Sequence, residues 1–233
     1  MLKKMNNSIK KQVFNTWYNL LKHDLLDSKY MHKLIKFINE EYKSGKKVFP
    51  VKRDIFKPFT NTNYKDLKVV ILGDNPYAND KDTGIAFANE EKHGVYISEP
   101  LTKIENCITN NVKNGLYFMD YSLDDWSKQG VLLLNSSLSA IKGQEGSHSF
   151  YWSYFIKYLL KSLSDYNTGI IYCLWGNQAQ SFKQYINEKN NYILEFINPS
   201  DAVKKGVDWN CTHFNDINKI IEENNGIDFI VNW

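Results

Sequence analysis

The stretch "KVVILGDNPYANDKDTGIAF", Lys68 to Phe87, decides the fold. It opens with Val69, Val70, Ile71 and Leu72, consecutive apolar residues that read as a strand buried on both faces. At Gly73 it breaks into a polar loop holding Asp74, Asn75, Pro76, Tyr77 and Asn79. Such residues are turn formers, and a surface turn is one reading. The other is a ligand site, because ligands of open α/β sheets bind at the C-terminal ends of the strands.

Working outward, the same pattern recurs. "GVLLLNSS" is a second buried strand that ends at Asn135, and "GIIYCLWG" is a third that ends at Trp175-Gly176. "YILEFINPS" is a fourth, ending at Asn198-Pro199-Ser200. Between them lie helical patterns. Apolar residues recur at helical spacing around Trp17, Leu20 and Leu21, and again at Leu34, Ile35, Phe37 and Ile38, where the run stops at Ser44-Gly45. "GVYISEPLTKIENCITNNV" reads as a short extended piece entering a helix near Pro100. "SFYWSYFIKYLLKSLSDY", "NQAQSFKQYINEK" and "FNDINKIIEENNG" complete the helices. Buried strands alternating with helices argue for a mainly parallel sheet between helical layers. Polar residues at three strand ends, Gly73 to Tyr77, Asn135, and Asn198 to Ser200, then fall on one edge. Their coincidence favours a site over three unrelated turns.

Composition narrows the classes. The length of 233 residues and 42% hydrophobic content suit one domain, with residues 1–15 as a candidate flexible lead. A net charge of +3 permits nucleic-acid binding without arguing for it. Cys107, Cys173 and Cys211 are odd in number and lack pairing spacing, which fits a reducing cytoplasm. The five histidines are scattered, so neither a metal site nor a cofactor is expected. The basic N-terminus lacks the apolar core of a secretory signal, and no apolar run reaches membrane-spanning length. Aromatic residues make up 15% of the chain; they usually fill cores but also offer stacking faces to bases.

The segment "IKFINEEYKSGKKVFPVKRDIFKPFTNTNYKDLKVVILGDNPY" resembles the entry segment and water-activating loop of the family-1 uracil-DNA glycosylases. "TGIAF" resembles their pyrimidine-stacking segment, which implies that Phe87 stacks on the base. "GVLLLNSSLS" is similar to the strand whose terminal Asn, here Asn135, reads the uracil edge. "GSHSFYW", "LWGNQAQ" and "CTHF" are similar to further family segments in the expected order. The resemblance runs from about residue 16 to the end. It implies a three-layer α/β/α fold with a central, mainly parallel four-stranded sheet. The implied activity is extrusion of deoxyuridine from DNA and hydrolysis of its N-glycosidic bond.

That chemistry needs a positioned water, tolerance of positive charge on the sugar and a donor to the leaving uracil. The family pattern G-Q-D-P-Y-H is G-D-N-P-Y-A here, and H-P-S-P-L is N-P-S-D-A. Both departures strike the catalytic pair, which becomes Asn75 and Asn198. One reading is lost catalysis, since a missing electrostatic partner costs about 3–4 kcal/mol, or ~10²–10³ in rate. The other is amide chemistry, because the mismatch-specific uracil glycosylases carry G-x-N-P and N-P-S at these places. An Asn75 carbonyl can hold water and an Asn198 amide can donate to an oxyanion. Asp74 adjoins the site as a candidate substrate contact, with its side chain expected to point away from that of Asn75.

The resemblance further implies that Tyr77 crowds C5 of the base and excludes thymine. Candidate DNA contacts are Ser98, Pro100, Ser147, His148, Trp175, Gly176, Ser200, Lys204 and Lys205. Ala202 stands where the family carries a Leu wedge, and is too small to serve as one. The expected partners are uracil-containing DNA, single- or double-stranded, and a DNA-mimicking inhibitor protein; the chain is expected to act as a monomer. The alternatives are a DNA-binding module without excision and a decoy for the inhibitor.

Overall fold

Each of the four apolar runs forms a strand in the computed structural model, which describes residues 7–89, 97–112 and 119–233. Strands β1 (Val69–Gly73), β2 (Val131–Asn135), β3 (Ile171–Trp175) and β4 (Tyr192–Phe196) lie in the order β2-β1-β3-β4. All three pairings are parallel. The first three strands are buried along their whole length, the mark of a sheet covered on both faces. β4, the expected fourth strand, is an edge strand that exposes Tyr192 and Glu195.

Alternate residues serve opposite layers, as strand geometry requires. Val70, Leu72, Leu132, Leu134, Tyr172 and Leu174 pack with Phe14, Trp17, Phe59, Trp152 and Phe155. Val69, Ile71, Val131, Leu133, Ile171 and Cys173 pack with Ile104, Ile108, Trp126, Phe214 and Trp233. The first layer holds helices α1 (Lys29–Lys43) and α3 (Ser149–Tyr166); the second holds α2 (Glu99–Asn111) and α5 (His213–Asn225). The short α4 (Pro199–Lys205) follows the edge strand. This is the three-layer α/β/α arrangement, and all three cysteines are free and buried in it.

Two local expectations change, and a third falls largely outside the described residues. Residues 7–15 are not a loose lead: Asn7–Phe14 is a helix, and Phe14 is fully buried against Phe56 and Phe59. The helix expected over "NQAQSFKQYINEK" is only Asn177–Gln180 followed by a 3₁₀ turn at Lys183–Tyr185. It stops because Ile186 turns extended to enter the core, and the Asn187 N–H is taken by the Ser164 hydroxyl at 3.0 Å. The extended piece expected before Pro100 lies largely outside the described residues, while α2 begins with Pro100 in its first turn.

Candidate active site

Parallel register brings the strand ends together. Gly73 lies directly beside Asn135, and Leu72 beside Leu174 one residue before Trp175. Gly73 has no alternative here: a Cβ would stand 2.7 Å from Cζ of Phe87 and 2.8 Å from Oδ1 of Asn135. The missing side chain lets the reading amide and the stacking ring share one floor. Phe87 adopts a left-handed backbone with φ of 68°, a strained conformation for a bulky residue of the kind that collects at functional sites. Its ring is backed by the indole of Trp175 at 5.3 Å.

Around this floor closes a small recess lined by Asn75, Tyr77, Phe87, Asn135, Asn198 and Ser200. Asp82 and Ile85 complete it. Asn135 is only 9% exposed, and its amide has no hydrogen-bond partner among the described residues. One carbonyl acceptor and two N–H donors are therefore left open to a ligand on the wall of the recess. The Tyr77 hydroxyl donates to the Phe87 carbonyl at 3.1 Å and lies 2.9 Å from the Ser98 hydroxyl. These ties fix the ring, and burial pushes its phenol well above the ordinary value, so it stays protonated.

Asn75 is held at both ends of its amide. Its Oδ1 accepts the Ser149 hydroxyl at 3.0 Å, and its Nδ2 donates to Oε1 of Gln178 at 3.3 Å. The carbonyl keeps a second lone pair, so it can still take a water proton. Asn198 caps α4, with its Oδ1 accepting the Ser200 N–H at 2.9 Å and its Nδ2 donating to the Trp175 carbonyl at 3.1 Å. One Nδ2 hydrogen remains for a ligand oxygen.

Several expected contacts are placed elsewhere. Asp74 does not line the recess: its Oδ1 accepts the Ala179 N–H at 2.8 Å, and its carboxylate lies against Gly176. Its partners lie in the turn after β3, and burial raises its pKa against the backbone donors that lower it. Trp175 is fully buried and donates from Nε1 to Nδ1 of His213 at 3.0 Å, so it supports Phe87 and cannot reach a phosphate. Gly176 is also buried, its N–H given to the Phe196 carbonyl.

His148, 1% exposed, lies 2.9 Å from the Ser139 hydroxyl and 3.5 Å from Glu41; it braces the loop from inside. Ser98 is buried with its hydroxyl donated to Asn89 at 2.8 Å, which makes it a support for Tyr77. Ala202 is fully buried among the second layer, so its position offers no wedge of any size. Ser147, Pro100 and Ser200 remain half-buried, and Lys205 is exposed. Lys204 is exposed but paired with Glu145 at 3.3 Å.

Sequence reasoning missed Asp82, Ser149 and Gln178. Asp82 accepts the Gly84 N–H at 2.8 Å through Oδ1, while its buried Oδ2 has no hydrogen-bond partner. Burial, aided by the Asp54 charge, raises its pKa to about 6. It lay in plain view within the opening stretch, but only the turn from Ala78 to Gly84 reveals that it comes back to the recess. Among the described residues no cluster of side chains could hold a metal ion.

The fold and sequence pattern recur in known proteins. The model of the uracil DNA glycosylase superfamily matches residues 59–222. The chain belongs to the uracil-DNA glycosylase superfamily. A uracil-DNA glycosylase of Fusobacterium nucleatum is 34% identical over 91% of this chain and 92% of its own length. That of Mycoplasmopsis pulmonis is 35% identical, covering 90% of this chain and 93% of the relative. Among solved structures, mimivirus uracil-DNA glycosylase superposes with a TM-score of 0.83 at 20% identity, over 96% of this chain and 89% of that one. A variant of the mimivirus enzyme in complex with UGI gives the same TM-score at 19% identity, over 96% of this chain and 91% of that one. No helix of the described residues is long and apolar enough to cross a membrane.

Proposed function

We propose that this chain is a single-domain uracil-DNA glycosylase whose site works through the Asn75 and Asn198 amides. The observation that carries this reading is the unpartnered Asn135 amide on the floor beside Phe87. In this reading the Asn135 Oδ1 accepts uracil N3–H and its Nδ2 donates to O4, a pattern that cytosine reverses. Phe87 stacks on the ring, and the fixed Tyr77 ring leaves no room for a 5-methyl group. The Asn75 carbonyl, aimed by Ser149 and Gln178, positions the attacking water. As the C–N bond breaks, the sugar gains positive charge and the uracil becomes an anion, to which the free Asn198 N–H donates. Water adds to the anomeric carbon, its proton leaves, and an abasic site and free uracil result. Without a charged pair this route is slower by about 10²–10³ than one with it.

One observation favours a second reading, a DNA-binding module without excision: both amides are already engaged by protein groups. The deciding experiment incubates the protein with a single-stranded uracil oligonucleotide and measures abasic sites. Excision that disappears in Asn135→Ala supports the enzyme. Uracil-dependent binding without any abasic product supports the module. A variant of the mimivirus enzyme is seen in complex with UGI, and an inhibitor protein of that kind is a partner for this chain in the enzyme reading.

A further inference from the structure

Helix α3 begins beside the recess, and its first residue, Ser149, reaches Asn75. The next residue, Phe150, is 84% exposed, the most exposed large apolar side chain among the described residues. Its aromatic neighbours are occupied: Tyr151 stacks on Phe37 at 3.6 Å, and Tyr154 meets Tyr30 at 4.6 Å. Among the described residues Phe150 has only one ring contact, the edge of Tyr151 at 5.7 Å. A phenyl left in water forgoes the roughly 1.5–3 kcal/mol that burial would supply. Lys204 of α4 is bonded to Glu145 in the loop that leads to α3, which ties α4 to the segment that leads into Ser149 and Phe150. The side that α4 offers has no wedge, since Ala202 is buried.

We propose that Phe150 is a stacking platform for the nucleobase adjacent to the extruded uridine. Extrusion leaves that neighbour with one bare face, and an aromatic ring beside the recess replaces the lost stack. Any of the bases suits, because each has a π-face; specificity stays with Asn135. This rests on the glycosylase reading for its substrate, but not on the amide chemistry.

The test uses oligonucleotides containing 2′-fluoro-2′-deoxyuridine, which withstands cleavage because the fluorine destabilises positive charge on the sugar. A 2-aminopurine is placed 5′ of it in one oligonucleotide and 3′ in a second. With the unaltered protein, one of the two changes fluorescence on binding. Phe150→Ala loses that change and weakens binding roughly 5- to 150-fold, the range for one base–aromatic stack. Phe150→Trp retains both. The salt dependence of binding stays the same, since no phosphate contact is removed. Thermal melting is unaltered by these exposed substitutions, which keeps folding out of the result. Unchanged fluorescence and affinity in Phe150→Ala overturn the proposal, as does Phe150→Leu binding as tightly as the parent. If the uracil oligonucleotide is never cleaved but the Phe150-dependent signal persists, the enzyme reading fails and the platform stands.

Discussion

Replacing Asp82 by Asn should change the protein's stability by an amount that depends on pH, in the variant's favour as pH rises. Asp82 has a folded-state pKa of about 6 against an ordinary 3.8. The folded chain therefore binds the proton more tightly than the unfolded chain. Below the unfolded value the penalty is absent; as pH rises through the folded value it reaches its full size. From 3.8 to about 6, at 1.36 kcal/mol per unit, that size is about 3 kcal/mol. Asn keeps the carbonyl that accepts the Gly84 N–H but places an amide where Oδ2 is buried without a partner. That amide adds a cost independent of pH, so the informative quantity is the difference between two pH values. Between pH 8 and pH 4 the advantage of Asp82→Asn should shrink by about 2.5 kcal/mol, which corresponds to roughly 5–10 °C in relative Tm. The groups near Asp82 are Asp54, Tyr42 and Tyr77, and the tyrosines stay neutral throughout this window. Paired melts of parent and variant at fixed ionic strength measure the effect. Parallel stability curves would refute the burial argument and show that Asp82 is solvated or partnered.

The remaining expectations concern the chemistry. With catalysis carried by Asn75 and Asn198, neither catalytic group titrates; a limb in the single-turnover excision profile should fall only near pH 6, from Asp82, and Asp82→Asn should flatten it, whereas a limb that survives refutes the amide mechanism. Asn75→Asp keeps the Ser149 hydroxyl bond and restores a charge facing the sugar, so the excision rate should rise at least about tenfold; an unchanged rate would show a site rebuilt around its amides. Ser149→Ala should slow single-turnover excision roughly 2- to 12-fold, one hydrogen bond's worth, with little change in affinity. Asn198→Ala should cost about 0.5–2 kcal/mol in chemical denaturation through loss of the α4 cap, in addition to its effect on rate. Single-stranded substrate should be cleaved faster than duplex, because the buried Ala202 leaves nothing on α4 to hold a duplex open; clear duplex preference in abasic-site yield would refute this.

The sheet is readable because its first three strands are buried. A run such as Val69 to Leu72 can satisfy its backbone and its side chains only in a covered parallel sheet, and the strand ends then collect Gly73, Asn135 and Asn198. The recess residues Asn75, Tyr77, Phe87 and Asn135 follow from that edge together with the family resemblance. What failed was the outer ring. His148, Ser98 and Trp175 carry polar atoms that look available in a string of letters, but each is spent internally, on Ser139, Asn89 and His213. Pairings between residues nine or more apart have no local signature. Asp82 escaped for the same reason, since its place depends on a loop that turns back on itself. Ala202 stands where the family carries a wedge, but a small residue in a short helix packed against α2 is a core residue.

Asp74 gives the site a mechanical property. Its carboxylate accepts the Ala179 N–H and fills the space where Gly176 lacks a side chain, with a Cβ there standing only 2.2 Å from Oδ2. The loop after β1 and the turn after β3 are thereby clasped, and Asn75 and Gln178, one position along on each side, are clasped with them. Neither segment can open alone without baring a carboxylate and an amide. In hydrogen exchange the two should behave as one cooperative unit, and damage at Gly176 should be felt at Asn75 as a lost alignment and not as a lost contact.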